Sequence, residues 1–193
     1  MRILVVCIGN ICRSPLAERL LAARLAPEVA AGRCSVGSAG VGAVDGHAMQ
    51  SQAAVQLARL GGDPDGFASR RTTTDLVSAH DLVLTATRDV RASVVGVAPA
   101  VLHRAFTLRE LAALAPVAAE LFDGPAGDDV RRRVRTLSSR RATVAAGDLD
   151  VPDPMGQDDA VHEAVADLLA ATVDPVAAVV RAVLDGRPVE ARG

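Results

Sequence analysis

Cys7 and Arg13 bracket the run CIGNICR near the start of the chain, with the apolar run RILVV at 2–6 before it and Ser14 and Pro15 after it. A loop that passes from a strand to a helix with its N–H groups turned inward makes an anion-binding nest. The free N–H groups and positive dipole end of the helix add to that field. Gly9 lets backbone approach a ligand closely, Asn10 tolerates a left-handed conformation, and Arg13 can grip two oxygens of a phosphate. A thiol at the base of the nest feels the same field, which favours the thiolate, and Ser14 is placed to donate a hydrogen bond to the sulfur. The pattern describes a nucleophile aimed at a bound tetrahedral anion. The alternative is a small buried hydrophobe ending a strand, and the spacing of Cys7 and Arg13 alone does not separate the two.

The chemistry requires Cys7 to sit at the carboxyl end of a buried strand. RILVV, short, β-branched and followed by a turn, predicts that strand. Pro15 then opens a helix with Leu16, Leu20, Ala23 and Leu25 near one face. Further expectations are a strand at 34–38, a helix at 48–60 stopped by GGDPDG, a helical turn at 74–78 and a strand at 80–87. A helix at 88–95 and a fourth strand at 100–106 follow, and a last helix over 158–184 is kinked or divided at Asp174-Pro175. This alternation predicts an α/β fold: a three-layer architecture with a four-stranded, mainly parallel sheet and helices on both faces. Ligands in such sheets bind beyond the carboxyl ends of the strands, where Cys7 is placed.

At 193 residues the chain is read as one domain, 1–193, with a polar tail at 186–193. The formal net charge of −2 gives no reason to expect nucleic acid or an anionic membrane as partner. Arg13 and Glu18 interrupt the N-terminal apolar run, so a signal peptide is not expected and the cytoplasm is. Three cysteines, Cys7, Cys12 and Cys34, fit a reducing compartment, and their spacing suggests no metal site. Arg131, Arg132, Arg133, Arg135, Arg140 and Arg141 form a basic run, read as a solvated helical face ahead of a docking face for an acidic partner.

VCIGNICRSP resembles the signature of the low-molecular-weight protein tyrosine phosphatases, and SAG at 38–40, DLVL at 81–84 and VPDPMG at 151–156 continue the resemblance in order. Residues 108–147 are less typical of that family. The resemblance implies hydrolysis of a phosphomonoester through a phosphocysteine on Cys7. Arg13 and the loop residues Ile8, Gly9, Asn10, Ile11, Cys12 and Ser14 would hold the phosphate, and Asp153 would act as general acid and then base. Ser38 would brace the loop, and Cys12 would be a redox partner of Cys7 or simply core. No metal or organic cofactor is implied. Substrates would be a phosphorylated protein or a small phosphomonoester, with inorganic phosphate also held in the loop; the oligomeric state is open between monomer and weak dimer.

The family's aspartate-proline motif usually continues with tyrosine, whereas Met155 and Gly156 follow here and the chain has no tyrosine or tryptophan at all. Met155 is then the candidate pocket wall. Phe67 stands where the family often has a histidine supporting the loop, which predicts a less rigid brace from Ser38 and Asn10. Two rival readings remain: an arsenate reductase using a small-molecule thiol, and a non-catalytic phosphate-binding protein.

Overall fold

The computed structural model describes residues 1–122, 130–144 and 147–186. Its centre is a parallel sheet of four strands, β1 (Arg2–Cys7), β2 (Ser35–Gly40), β3 (Leu82–Thr85) and β4 (Ala105–Thr107), in the order β2-β1-β3-β4. Successive β1 side chains serve opposite faces, as strand geometry requires. Ile3, Val5 and Cys7 belong to one hydrophobic cluster, Leu4 and Val6 to the other. Each of the four aliphatic ones is fully buried, contributing about 1.5–3 kcal/mol.

The helices divide between these faces. In chain order they are α1 (Arg13–Arg24), α2 (Ala26–Ala30), α3 (Ser51–Arg59), α4 (Thr74–Ser78) and α5 (Arg88–Val97). Then come α6 (Leu108–Ala113), α7 (Ala115–Leu121), α8 (Val130–Ser138) and α9 (Asp159–Asp185). Leu16 and Leu20 of α1, Leu57 of α3, Leu111 of α6 and Val173 and Val180 of α9 pack with the first cluster. Val77 of α4 and Val90 and Val94 of α5 cover the other face. The expected three-layer, parallel α/β arrangement is therefore present.

Two boundaries differ from expectation for physical reasons. The fourth strand is only Ala105–Thr107, because Pro99 begins a 3-10 helix, Pro99–Arg104; proline lacks the N–H a ladder needs. Pro175 does not divide the last helix, which runs unbroken from Asp159 to Asp185. Its buried stripe, Leu169 and Val173 before the proline and Val176 and Val180 after it, outweighs one lost backbone hydrogen bond.

The arginine segment also departs from a purely solvated face. Arg133 is buried and donates to the Val183 carbonyl at 2.8 Å. Arg131 pairs with Asp81 at 2.8 Å, and the Arg141 guanidinium lies 4.3 Å over the Phe106 ring. Arg133 ties α8 to α9, and Arg131 and Arg141 tie the segment to the sheet side at Asp81 and Phe106, while Arg132, Arg135 and Arg140 are exposed. The expected polar tail falls, beyond Gly186, outside the described residues. Among the described residues no helix is long and apolar enough to cross a membrane.

Candidate active site

β1 delivers Cys7 to the carboxyl edge of the sheet, and residues 8–12 wrap back to the start of α1. Asn10 takes φ 53°, a left-handed conformation that asparagine adopts at modest cost. Its N–H thereby reaches the Cys7 Sγ at 3.2 Å, and the Ser14 hydroxyl sits 2.9 Å from the same sulfur. No side chain caps α1 and its first turn has no acidic residue, so the dipole end is left to an anion. The Asn10 N–H thus donates to the sulfur, and the Ser14 hydroxyl is within reach to do the same.

Gly40, paired with Cys7 across β1 and β2, carries a requirement the sequence did not announce. A Cβ there would lie 2.4 Å from the Ile8 carbonyl oxygen and 2.8 Å from the Asn10 nitrogen. The loop backbone rests against the glycine. Gly40→Ala is therefore expected to displace the loop and to cost roughly 1–3 kcal/mol. Thermal unfolding together with the stabilisation given by added phosphate checks this: both should fall.

The second wall comes from far along the chain. Val151 is buried and its N–H donates to the Ala86 carbonyl just beyond β3 at 2.8 Å. The Asp150 carboxylate accepts from the Arg88 N–H at 2.8 Å, and Arg109 donates to the Asp150 carbonyl at 3.0 Å. Thus anchored, the loop presents Asp153, whose carboxylate meets the Arg13 guanidinium at 2.6 Å. Arg13 also donates to the Val151 carbonyl at 3.2 Å. The arginine is 4 % exposed and the aspartate 42 %, so the carboxylate stands between the buried cation and the opening.

Cys7, Ile8, Gly9, Ile11, Cys12, Arg13, Asp153 and Met155 line one cavity of about 260 Å³. Ile8 and Met155 are 51 % and 43 % exposed and form its apolar rim. Burial first, then the adjacent Cys7, pushes the Cys12 thiol up to about 12. Cys12 therefore stays protonated at neutral pH, and Cys7 is the thiol with anion-stabilising partners. Cys34 is buried in the core.

The brace beneath the loop is built from Asn10, whose side-chain amide donates to Ser14 Oγ at 3.0 Å and to Ser38 Oγ at 2.8 Å. Sequence reasoning missed its outer members, Glu18, which accepts from the Ser38 hydroxyl, and Arg70, whose N–H donates to Asn10 Oδ1 at 2.9 Å. Their only trace in the sequence is a glutamate four residues after Ser14 and an arginine three after Phe67. Phe67 itself packs against the main cluster. His47 is exposed, its N–H bonded to Ser69 Oγ.

A thiol at the end of the first strand of a parallel α/β sheet, facing a strand-to-helix loop, points to one class of protein. The chain belongs to the low molecular weight phosphotyrosine protein phosphatase family, whose sequence profile matches residues 2–123. It is 42 % identical over 99 residues to the low molecular weight protein-tyrosine-phosphatase Etp of Escherichia coli K12, covering 51 % of this chain and 63 % of that protein. It is 46 % identical over 82 residues to the probable phosphatase EpsP of Ralstonia nicotianae, covering 42 % of this chain and 52 % of that protein. The chain thus spans less than two thirds of either relative. Among solved structures, the YwlE arginine phosphatase of Geobacillus stearothermophilus superposes with a TM-score of 0.69 at 26 % identity, covering 93 % of this chain and 92 % of that one. The tyrosine phosphatase Wzb of Escherichia coli K30, in complex with sulphate, shares the fold with a TM-score of 0.66 at 23 % identity, over 91 % and 95 % of the two chains. Asp153 lies beyond the profile match, so its place rests on geometry.

Proposed function

We propose that the chain is a single-domain phosphomonoester hydrolase of the protein tyrosine phosphatase type, working through a phosphocysteine. The observation that carries this is the convergence of Cys7, Arg13 and Asp153 on one cavity. The Cys7 thiolate attacks phosphorus while Arg13 and the loop amides hold the equatorial oxygens, where charge accumulates. Asp153, in its protonated form, gives its proton to the leaving oxygen and then takes one from the water that hydrolyses the intermediate. Binding alone would require neither a thiol nor a facing carboxyl group.

The rim of Ile8 and Met155 suits an aryl group on the phosphate. A phosphotyrosyl protein or an aryl phosphate is the proposed substrate, and the reducing cytoplasm that keeps Cys7 a thiol is the proposed compartment. Cys12, on the same cavity wall, is the proposed thiol that condenses with a peroxide-oxidised Cys7 sulfenic acid, releasing water. The test is a panel of para-nitrophenyl phosphate and phosphotyrosyl, phosphoseryl and phosphoarginyl peptides, the last because YwlE is an arginine phosphatase. Turnover is expected for the two aryl phosphates and at least about tenfold less kcat/KM for the others. Arsenate-dependent oxidation of a small thiol with no ester hydrolysis would replace this reading by the reductase one, and phosphate binding without either reaction by the binding-protein one.

A further inference from the structure

Resting on that reading of Cys7, we propose that Glu18 is a positioning residue for the nucleophile, acting through Ser38 and Asn10. The argument is one of hydrogen-bond direction. The Arg70 N–H donates to the Asn10 side-chain oxygen at 2.9 Å, so the amide nitrogen faces Ser14 at 3.0 Å and Ser38 at 2.8 Å and must donate to both. The Ser38 hydroxyl has one proton, and the Glu18 carboxylate, which can only accept, takes it. Ser38 therefore turns its lone pairs toward Asn10. Ser14 already accepts from Asn10, so its own proton goes to the Cys7 sulfur at 2.9 Å rather than to the more distant Ala39 carbonyl at 3.4 Å.

Glu18 matters because the amide has a second orientation. If Asn10 flipped, its oxygen would face Ser14 and Ser38 and its nitrogen would face the Arg70 N–H, donor against donor. With the Ser38 proton held by Glu18, the flipped oxygen would meet lone pairs at Ser38, which further disfavours that orientation. Without Glu18, Ser38 could donate to the flipped oxygen and offset part of the clash with the Arg70 N–H, and in that orientation Ser14 would lose its donor and with it the reason to point its proton at sulfur. Ser14 and Glu18 lie one turn apart on α1, on the same helix face, so the helix that begins the cradle also carries the anchor of its brace. Phe67 is partly buried against the main cluster, and the Glu18 carboxylate reaches Ser38 directly.

Two variants and two readouts test this. The rate of Cys7 alkylation by iodoacetamide at fixed pH reports the sulfur without requiring turnover; Cys12, held protonated, contributes little. Steady-state kinetics with para-nitrophenyl phosphate report kcat and KM. Glu18→Ala should slow both alkylation and kcat by roughly fivefold to thirtyfold, the scale of one misdirected buried hydrogen bond, with KM changed less than about twofold. Glu18→Gln, whose amide oxygen still accepts from Ser38, should recover most of that loss. Ser38→Ala should reproduce the Glu18→Ala defect, and adding Glu18→Ala to it should cost nothing more. The proposal is overturned if Glu18→Ala alkylates and turns over normally, if Glu18→Gln is as slow as Glu18→Ala, or if the two losses simply add. Should Glu18→Ala not fold, the folded Ser38→Ala and Glu18→Gln proteins decide it, the first expected slow and the second near the native rate. A native protein that alkylates rapidly but hydrolyses no phosphate ester sinks the proposed function instead.

Discussion

Cys7→Ser is expected to lower phosphatase turnover by about four orders of magnitude or more while oxyanion binding survives. The two halves follow from different atoms. Turnover depends on the sulfur, which receives the Asn10 N–H at 3.2 Å and lies 2.9 Å from Ser14; a serine hydroxyl in the same place remains protonated and is a far weaker nucleophile. Binding depends on Arg13, the α1 terminus and the loop amides, none of which the substitution touches. Added phosphate or vanadate should therefore still raise the unfolding temperature of the variant. A ligand at a hundred times its Kd stabilises the fold by about 2.7 kcal/mol, a readily measured shift. Retention of even a few per cent of native turnover would remove Cys7 from the nucleophile's role. Loss of both turnover and binding would mean that the cradle itself needs the sulfur, through its contact with Asn10.

The reach of the sequence ended where contacts became distant. The candidate phosphate loop was legible because its chemistry is contiguous: strand, Gly9-Asn10 turn, Arg13 and the Pro15 helix start all lie within 14 residues. The sheet was legible from alternation, since each buried strand is followed by a helical stretch. Pro99 hid the true start of the last strand, because an apolar run of that length reads alike as strand or 3-10 turn. Pro175 misled in the opposite sense, because tertiary packing on both sides of it held α9 together. The inward arginines were illegible for the same reason: Arg131 finds Asp81 and Arg133 finds the Val183 carbonyl, each 50 positions away. Gly40 and Glu18 show the limit most clearly. Their significance is that one backbone and one hydroxyl come to rest against them, and nothing in their local sequence says so.

Asp153→Ala carries the second large effect, and its signature lies in how the loss varies with substrate. A general acid contributes about 10²–10⁴-fold when the departing oxygen needs a proton. The loss in kcat should approach that range for phenyl phosphate and phosphotyrosyl peptide. It should be least for para-nitrophenyl phosphate, whose phenolate leaves with little help. A plot of log kcat/KM against leaving-group acidity should be steeper for the variant than for the native protein. The structure supplies an alternative cause that the same plot separates. Asp153 is ion-paired with Arg13 at 2.6 Å, so its removal also frees the guanidinium proposed to grip the phosphate. If Asp153 served only to orient Arg13, every substrate would suffer equally and the slope would not change. Asp153→Asn divides the roles further, since its amide oxygen can still accept from Arg13 but the side chain cannot cycle a proton. Asparagine and alanine variants equally slow on phosphotyrosyl peptide, with a steepened slope in both, make Asp153 the proton donor. An asparagine variant near native rate, with the slope unmoved, would leave it an arginine-positioning carboxylate and require another source for the proton.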